Sequence, residues 1–154
     1  MRWSVPVLIS AFTFATPAAA SPVLEQLDDG TWMAASWTGD FGETIEEHAI
    51  WVDFAAWNLS YEKDIGILWT DDGWATSHLA HAWYEGGLSD GREQWGVDII
   101  PHSTLVRLPV IEGIEGGPEQ VQQPITVEYV IYYTVGGWTH WDNNGGANYT
   151  LVIE

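Results

Sequence analysis

ITVEYVIYYTV, residues Ile125–Val135, has the strongest strand pattern in the chain. Every side chain in it except Glu128 is β-branched or aromatic. Side chains of these two kinds pack well on the pleated surface of a β-sheet and against the strands on either side. The stretch therefore predicts a long strand in the centre of a sheet.

Strand patterns continue on both sides of this segment. After it, the glycines at 136–137 mark a turn, WTHWD at 138–142 leads away from the turn, and NYTLVIE at 148–154 reads as a last strand. Before it, residues 65–69 alternate as Ile, Gly, Ile, Leu, Trp, which is the pattern of a largely buried strand. TDDG at 70–73 then predicts a tight turn.

The rest of the chain is built from short β-rich pieces separated by turn residues. A short strand is predicted over 31–37, a β-rich run begins at Ala49, and two strand pieces flank Pro101. Only a weak helical periodicity is visible near 77–83, and 112–124 is a polar loop rich in Gly and Pro. Short strands with no helices between them are typical of an all-β sandwich.

The N-terminus has the pattern of a secretory signal peptide. Arg2 is followed by the apolar run VPVLISAFTFA and then by TPAAASP. We expect cleavage after Ala20, and hence a secreted or periplasmic protein; the alternative is a short buried first strand. The predicted organisation is a signal peptide at 1–20, an acidic segment with a first strand at 21–48, and a β-sandwich domain at 49–154.

Composition limits the partners of this chain. Beyond residue 20 the strong cations are Lys63, Arg92 and Arg107, against 22 acidic residues, so the net charge there is 3 − 22 = −19. A surface of that sign repels phosphate backbones and anionic lipids, so we expect no nucleic-acid or membrane partner. The chain has no cysteine, which excludes disulfides, thiol nucleophiles and cysteine-type zinc sites.

The sequence gives little support to an enzyme or a metal site. The histidines are scattered, and His78 and His81 are spaced like a metal-binding pair but have no third ligand at the usual spacing. TDD at 70–72 and DNN at 142–144 offer oxygen ligands without the spacing of a calcium loop. A glycosidase needs two facing carboxyl groups, and no pair stands out among so many acids. We therefore expect no catalysis, no cofactor and no metal.

Carbohydrate binding fits the residues better. A sugar ring has an apolar C–H face, on which an aromatic ring stacks, and a rim of hydroxyl groups that amides and carboxylates bind. The segment THWDNNGGANYTL at 139–151 provides Trp141 and, directly after it, Asp142, Asn143 and Asn144. TDDGW provides a second tryptophan, Trp74, at the end of another predicted strand.

Two segments of the chain, which carry three short motifs, resemble a known family. NLSYEKDIGILWTDDGWAT at 58–76 and VEYVIYYTVGGWTHWDNNGGANYTL at 127–151 are similar to carbohydrate-binding module family 21, the starch- and glycogen-binding modules. The likeness lies in an N-[aliphatic]-x-[FY]-E-K-x-V stretch, a T-x-D-x-W stretch and a terminal W-D-N-N-x-x-N-Y, in this order. It extends over roughly residues 50–153.

The resemblance implies an immunoglobulin-like antiparallel β-sandwich that binds α-glucan without cleaving it. It assigns ring stacking to two tryptophans and hydrogen bonding to the amides and the acid of the terminal motif, and it adds a tyrosine and a lysine from the first motif. The site residues implied are Trp74, Trp141, Asp142, Asn143, Asn148, Tyr61 and Lys63. The chain departs from some members at Val130, where they have an aromatic residue.

Each of these residues also has a purely structural interpretation. Trp74 and Tyr149 are candidates for the core, the asparagines are turn formers, and Lys63 can pair with Glu62 at the surface. For the whole protein, the alternative is a β-sandwich interaction or structural module that has lost sugar binding, which the valine at 130 and the acidic surface favour.

Overall fold

The computed structural model describes residues 23–109 and 123–154. The predicted signal peptide at 1–20 lies outside these residues, as does most of the predicted loop at 112–124. Within the described part of the chain there is no helix with the length and hydropathy of a membrane span.

The described residues form two antiparallel sheets, and the first of them contains the N-terminal strands. Its order is β1-β2-β6-β5, with β7 paired to the far end of β2. The strands are β1 (Leu24–Thr38), β2 (Thr44–Ala56), β5 (Trp83–Gly87), β6 (Glu93–Ile99) and β7 (Leu105–Arg107).

The second sheet is centred on the β-branched and aromatic segment Ile125–Val135. Its order is β10-β8-β3-β4, and β9 pairs with the other half of the same edge of β8. The strands are β3 (Lys63–Thr70), β4 (His78–His81), β8 (Ile125–Val135), β9 (Trp138–Asp142) and β10 (Tyr149–Ile153), with a single 3₁₀ turn at Asn144–Gly146. The predicted central strand is confirmed.

The core lies between the two sheets. Alternate residues of β8, including Tyr129, Ile131 and Tyr133, face Phe54 and its neighbours from the first sheet. Because side chains alternate along a strand, the residues between them, such as Tyr132, lie on the outer face of the second sheet. The predicted all-β, immunoglobulin-like antiparallel sandwich is confirmed.

Two local predictions differ from the structure. The first strand is not confined to 31–37 but runs from Leu24 to Thr38 and pairs along the whole of β2, which itself passes through the predicted boundary at residue 49. The weak helical periodicity near 77–83 was misleading, because His78–His81 forms a strand. Pairing with the edge of β3 outweighs the weak local preference in this short segment.

Candidate functional site

Trp141 stands on the outer face of the second sheet. It pairs with Tyr132 across β9 and β8, and the two rings lie 6.1 Å apart at an angle of 52°. Tyr132 is buried, whereas 49% of Trp141 is exposed. The buried tyrosine supports one side of the indole ring, and much of the rest of that ring remains open to a ligand.

The loop after Trp141 is shaped by its own asparagines. Asn143 Oδ1 accepts a hydrogen bond from the N–H of Gly146 at 3.1 Å, and its carbonyl oxygen accepts one from the N–H of Asn148 at 2.9 Å. Asn144 and Asn148 have φ values of +52° and +59°, which asparagine tolerates better than most residues. The interpretation of these amides as turn formers is therefore correct.

The same loop leaves amide groups available. Nδ2 of Asn143 and the side-chain amide of Asn148 make no hydrogen bond within residues 23–109 and 123–154, whereas Nδ2 of Asn144 donates to the Asn148 carbonyl at 3.1 Å. Both free amides belong to half-buried residues of the loop that follows Trp141. They can bind hydroxyl groups beside that ring.

Asp142 has a different position from its neighbours in the motif. It pairs with the inward-facing Ile131, and only 1% of it is exposed. Its carboxylate accepts hydrogen bonds from the N–H of Gln26 at 3.1 Å, the N–H of Asn144 at 3.3 Å and the hydroxyl of Tyr149 at 2.9 Å. Asp142 thus holds the loop from behind and links β9 to β1, and it does not face a ligand.

Tyr149 completes this support. It packs against the core, as the structural interpretation predicted, and its ring stacks on Tyr129 with centroids 5.1 Å apart. Burial, together with the hydrogen bond to Asp142, raises the pKa of its hydroxyl above the ordinary range, so it remains a donor at any physiological pH.

Trp74 lies in the loop between β3 and β4 with a strained backbone. Its φ is +69° and follows a φ of +67° at Gly73. A left-handed conformation is unusual for a bulky residue and costs about 1–3 kcal/mol. The side chain is half-buried, and its Nε1 is covered without finding a hydrogen-bond partner among the described residues. The ring is thus partly packed on the protein, and it is less exposed than Trp141.

A network of hydroxyl and carboxylate groups maintains this conformation. Thr70 Oγ1 accepts the N–H of Trp74 at 3.1 Å and donates to Asp72 Oδ1 at 2.7 Å. Asp72 in turn accepts hydrogen bonds from the N–H and the hydroxyl of Thr76, at 2.9 and 2.7 Å. These bonds to Thr76 and Thr70 lower the pKa of Asp72 to about 2, so the carboxylate is charged and the turn is closed at neutral pH.

The two tryptophan-bearing segments lie on opposite sides of β8: Trp141 pairs with Tyr132, and Thr70, before Trp74, pairs with Glu128, about 13 Å further along the strand. The 143–148 loop interrupts the edge of β8 opposite Val130. The strands β3 and β9 flank β8, so they lie about 10 Å apart. Val130 lies buried on the outer face between them.

The two remaining predicted residues lie elsewhere. Lys63 is at the opposite end of β3 from Trp74, and only 7% of its side chain is exposed. Its Nζ donates to Glu93 at 2.5 Å, not to Glu62 as the structural interpretation supposed, and it lies 5.4 Å above the ring of Trp95. Lys63 is a structural ion-pair residue that connects the two sheets.

Tyr61, unlike Lys63, is exposed. It precedes β3, and 98% of it is accessible to solvent. Its ring is free to stack on a ligand, but it lies at the end of the sandwich away from the loop that carries Trp74. The structure therefore does not bring it together with Trp74.

One feature near the site was not visible in the sequence. A pocket of about 440 Å³ opens beside the TDDG turn, between residues 103–104 and the beginning of β8. Three acidic residues line it, which are Asp71, Asp72 and Glu128. Its walls come from segments that are far apart in the chain, so no local motif could have indicated it.

The sequence model of the carbohydrate/starch-binding module of family 21 matches residues 43–152. The chain belongs to this family. The matched region contains both tryptophans and the whole terminal motif, whereas the whole of β1 lies before it. This is the family to which the three motifs pointed.

Known proteins similar to this family 21 module include phosphatase subunits. Protein phosphatase 1 regulatory subunit 3C of Clarias batrachus is 28% identical over 109 residues, which cover 71% of this chain and 33% of the relative. Protein phosphatase 1 regulatory subunit 3B of Homo sapiens is 28% identical over 97 residues, covering 62% and 28%. The chain spans about a third or less of the length of these curated relatives.

Two solved structures are also similar to the module. The solution structure of the carbohydrate binding module of the muscle glycogen-targeting subunit of Protein Phosphatase-1 has a TM-score of 0.47 at 22% identity, covering 80% of this chain and 76% of that one. The starch binding domain of Rhizopus oryzae glucoamylase has a TM-score of 0.41 at 20% identity, covering 89% and 97%.

Proposed function

We propose that this family 21 module binds α-glucan of the starch or glycogen kind and does not cleave it. The observation that carries the proposal is the position of Trp141, which is half-exposed on the outer face of the sheet within the region matched by the family. The contacts are assigned to Trp141 and Trp74 for stacking, and to Asn143 and Asn148 for hydrogen bonds.

The chemistry of this surface suits a neutral sugar. An indole ring stacks on the C–H face of glucose, and an amide both donates to and accepts from hydroxyl groups. Hydrogen bonds within the turn already order the loop that carries both amides, so binding requires little further ordering. Asp142 and Lys63 contribute indirectly by supporting the fold, and Tyr61 offers a separate ring for a longer chain.

We also propose that the protein is exported, which rests on the N-terminal signal-peptide pattern alone. The test is expression of the full chain in a Gram-negative host, followed by N-terminal sequencing of the protein recovered from the periplasm and the medium. We expect a chain beginning at Ser21. An intact Met1 on protein found only in the cytoplasm would contradict export and leave the proposal on binding unaffected.

The test of binding is co-sedimentation of the purified protein with insoluble starch, with cellulose as the matched β-glucan control. We expect retention on starch and not on cellulose. Retention should change little between about 50 mM and 500 mM NaCl, because a neutral ligand releases no counterions. Equal retention on both polymers, or on neither, would contradict the proposal, and release of reducing sugar from starch would contradict the absence of cleavage.

A second candidate function is an interaction or structural module that has lost sugar binding. The observation in its favour is Val130, since an aliphatic side chain lies buried on the outer face between the two tryptophan-bearing segments. Substitution Val130→Tyr distinguishes the two. If wild type fails to bind starch and the variant binds, sugar binding has been lost through this position; if both bind, the first candidate holds.

A further inference from the structure

Three side chains capable of binding a metal meet beside the TDDG turn. One ligand atom from each of Asp71, His78 and His102 lies within 4.8 Å of the other two. They come from the end of β3, from β4 and from the segment between β6 and β7. We propose that these three residues bind a divalent transition-metal ion, for which Zn²⁺ is the probe.

Asp71 is fixed in place for this role. Its carboxylate Oδ2 accepts hydrogen bonds from the N–H of His102 at 2.7 Å and of Ser103 at 3.3 Å. Only 7% of the side chain is exposed, and Oδ1 accepts no hydrogen bond from the rest of the described chain. Among the described residues the one ion-pair partner of Asp71 is the His102 ring, at 3.8 Å, so a metal ion would supply the free oxygen with a closer positive charge.

The two imidazole rings are held by a common neighbour. The ring centroids of Trp69 and His78 lie 4.8 Å apart. Trp69 also stacks on His102, with the centroids 5.6 Å apart and an angle of 15° between the two ring planes. The two imidazoles are themselves only 4.5 Å apart. Their positions are therefore set by the core residue Trp69 as well as by the loops.

The present spacing requires a small contraction. Ligand atoms around a tetrahedral zinc ion lie about 3.3 Å apart, given bonds of about 2.0–2.1 Å to nitrogen and oxygen. His102 is largely exposed, with its Nδ1 3.8 Å from Asp71 Oδ2, so its ring can turn inward. Two imidazoles and one carboxylate leave a fourth position for water, which is the arrangement of an open zinc site.

The donor set selects among metals. Imidazole nitrogen suits zinc, nickel and copper, whereas calcium and magnesium prefer oxygen ligands and more of them. The surrounding acids, among them Asp72 and Glu128 in the neighbouring pocket, attract any cation, but they do not provide that selectivity.

The test is isothermal titration of the untagged, EDTA-treated full-length protein with ZnCl₂ in 150 mM NaCl. We expect one saturable site per chain and a higher melting temperature with zinc, because the ion would join segments from both sheets. CaCl₂ at the same concentrations should give no saturable site.

The variants are His78→Asn, His102→Asn and Asp71→Asn, the last of which keeps an oxygen for the two backbone donors. Each should weaken zinc binding at least about tenfold, because even the loss of a residue that only hydrogen-bonds to a metal ligand lowers the affinity by that much. Circular dichroism establishes that each variant folds. If one ligand variant does not fold, the other two decide the outcome.

The matched control is His81→Asn. His81 also lies beside a carboxylate, with its Nδ1 2.8 Å from Asp64 Oδ1, but no third ligating side chain of the described residues joins that pair. The His81→Asn variant should bind zinc with the affinity of the wild type. Absence of a saturable site, or equal affinity in wild type and all three ligand variants, would overturn the proposal, and neither result bears on starch retention.

Discussion

Asp142 and Tyr149, at the two ends of the asparagine-rich loop, are joined by a hydrogen bond of 2.9 Å from the tyrosine hydroxyl to the carboxylate. Asp142 is buried; the same oxygen, Oδ2, also accepts the N–H of Gln26, and Oδ1 accepts the N–H of Asn144. The loop that presents Trp141 is therefore closed from the inside of the sandwich, and its stability depends on a contact that a ligand never touches.

Removal of this contact should weaken the fold. Tyr149→Phe deletes one donor to a buried charged group, and hydrogen bonds of that kind contribute about 1.5–3 kcal/mol. We expect a loss of about 2 kcal/mol in the free energy of unfolding, measured by urea denaturation. Tyr84→Phe is the control, because its exposed hydroxyl makes no hydrogen bond within the described chain. A loss of equal size in both variants would contradict the role of Asp142 as the acceptor.

Trp141→Ala tests the binding surface itself. The side chain is half-exposed, so its removal should cost about 1 kcal/mol or less in stability while abolishing retention on starch. Trp37→Ala is a matched control, since Trp37 is 45% exposed and belongs to β1 in the first sheet. We expect that variant to be retained like the wild type. If the two variants are retained equally, Trp141 does not contact the glucan.

Trp74 offers a test that separates its ring from its N–H group. Trp74→Phe keeps an aromatic ring and removes a buried donor that has no partner among the described residues, whereas Trp74→Ala removes both. An unpaired buried donor costs about 1–3 kcal/mol, so the phenylalanine variant should be at least as stable as the wild type. It should also keep most of its retention on starch, and Trp74→Ala should lose it. Similar retention in the two variants would mean that the ring plays no part.

The turn that holds Trp74 should open in acid. Its Asp72 has a pKa of about 2 in the folded protein, below the ordinary value of 3.8, because Thr76 and Thr70 donate to the carboxylate. A lowered pKa means that the stabilisation is fully present above about pH 4 and is lost as the pH falls through 2. The loss of stability caused by Asp72→Asn should therefore be largest near neutral pH and shrink below pH 4. A difference that does not depend on pH would contradict this account.

Substitutions at Lys63 and Tyr61 should differ in their effect on the free energy of unfolding, although the two residues lie two positions apart. Lys63→Met leaves Glu93 without its partner across the sheets, and breaking such a buried pair costs about 3 kcal/mol. Tyr61→Ala removes an exposed side chain and should change the free energy of unfolding by about 0.5 kcal/mol or less. Thermal denaturation of the two variants measures the difference, and equal midpoints would place Lys63 at the surface.

The strands and turns could be read from local sequence because their signals are local. The alternation at 65–69 and the β-branched run at 125–135 each specify a strand within a few residues. The glycines at 136–137 likewise specify their turn, where both adopt positive φ. The family motifs identified the module for the same reason, since each is a short contiguous pattern.

The role of each residue within those motifs was decided by the tertiary structure. Asp142 and Asn143 are neighbours, yet Asp142 ends β9 and faces β1, whereas Asn143 begins the loop and keeps a free amide. Gln26, which donates to Asp142, is 116 residues away, and no local pattern encodes a contact at that separation.

Local sequence patterns are enough to identify this chain as an all-β family 21 module with tryptophans at two turns. Only the folded structure decided that Lys63 pairs with Glu93 and that Asp71 meets His78 and His102. The physical reason is that the pairing of strands into two sheets brings distant segments together. The spacing of His78 and His81 in the sequence shows only that these two residues are close along the chain; it does not show which distant residues the fold brings next to them.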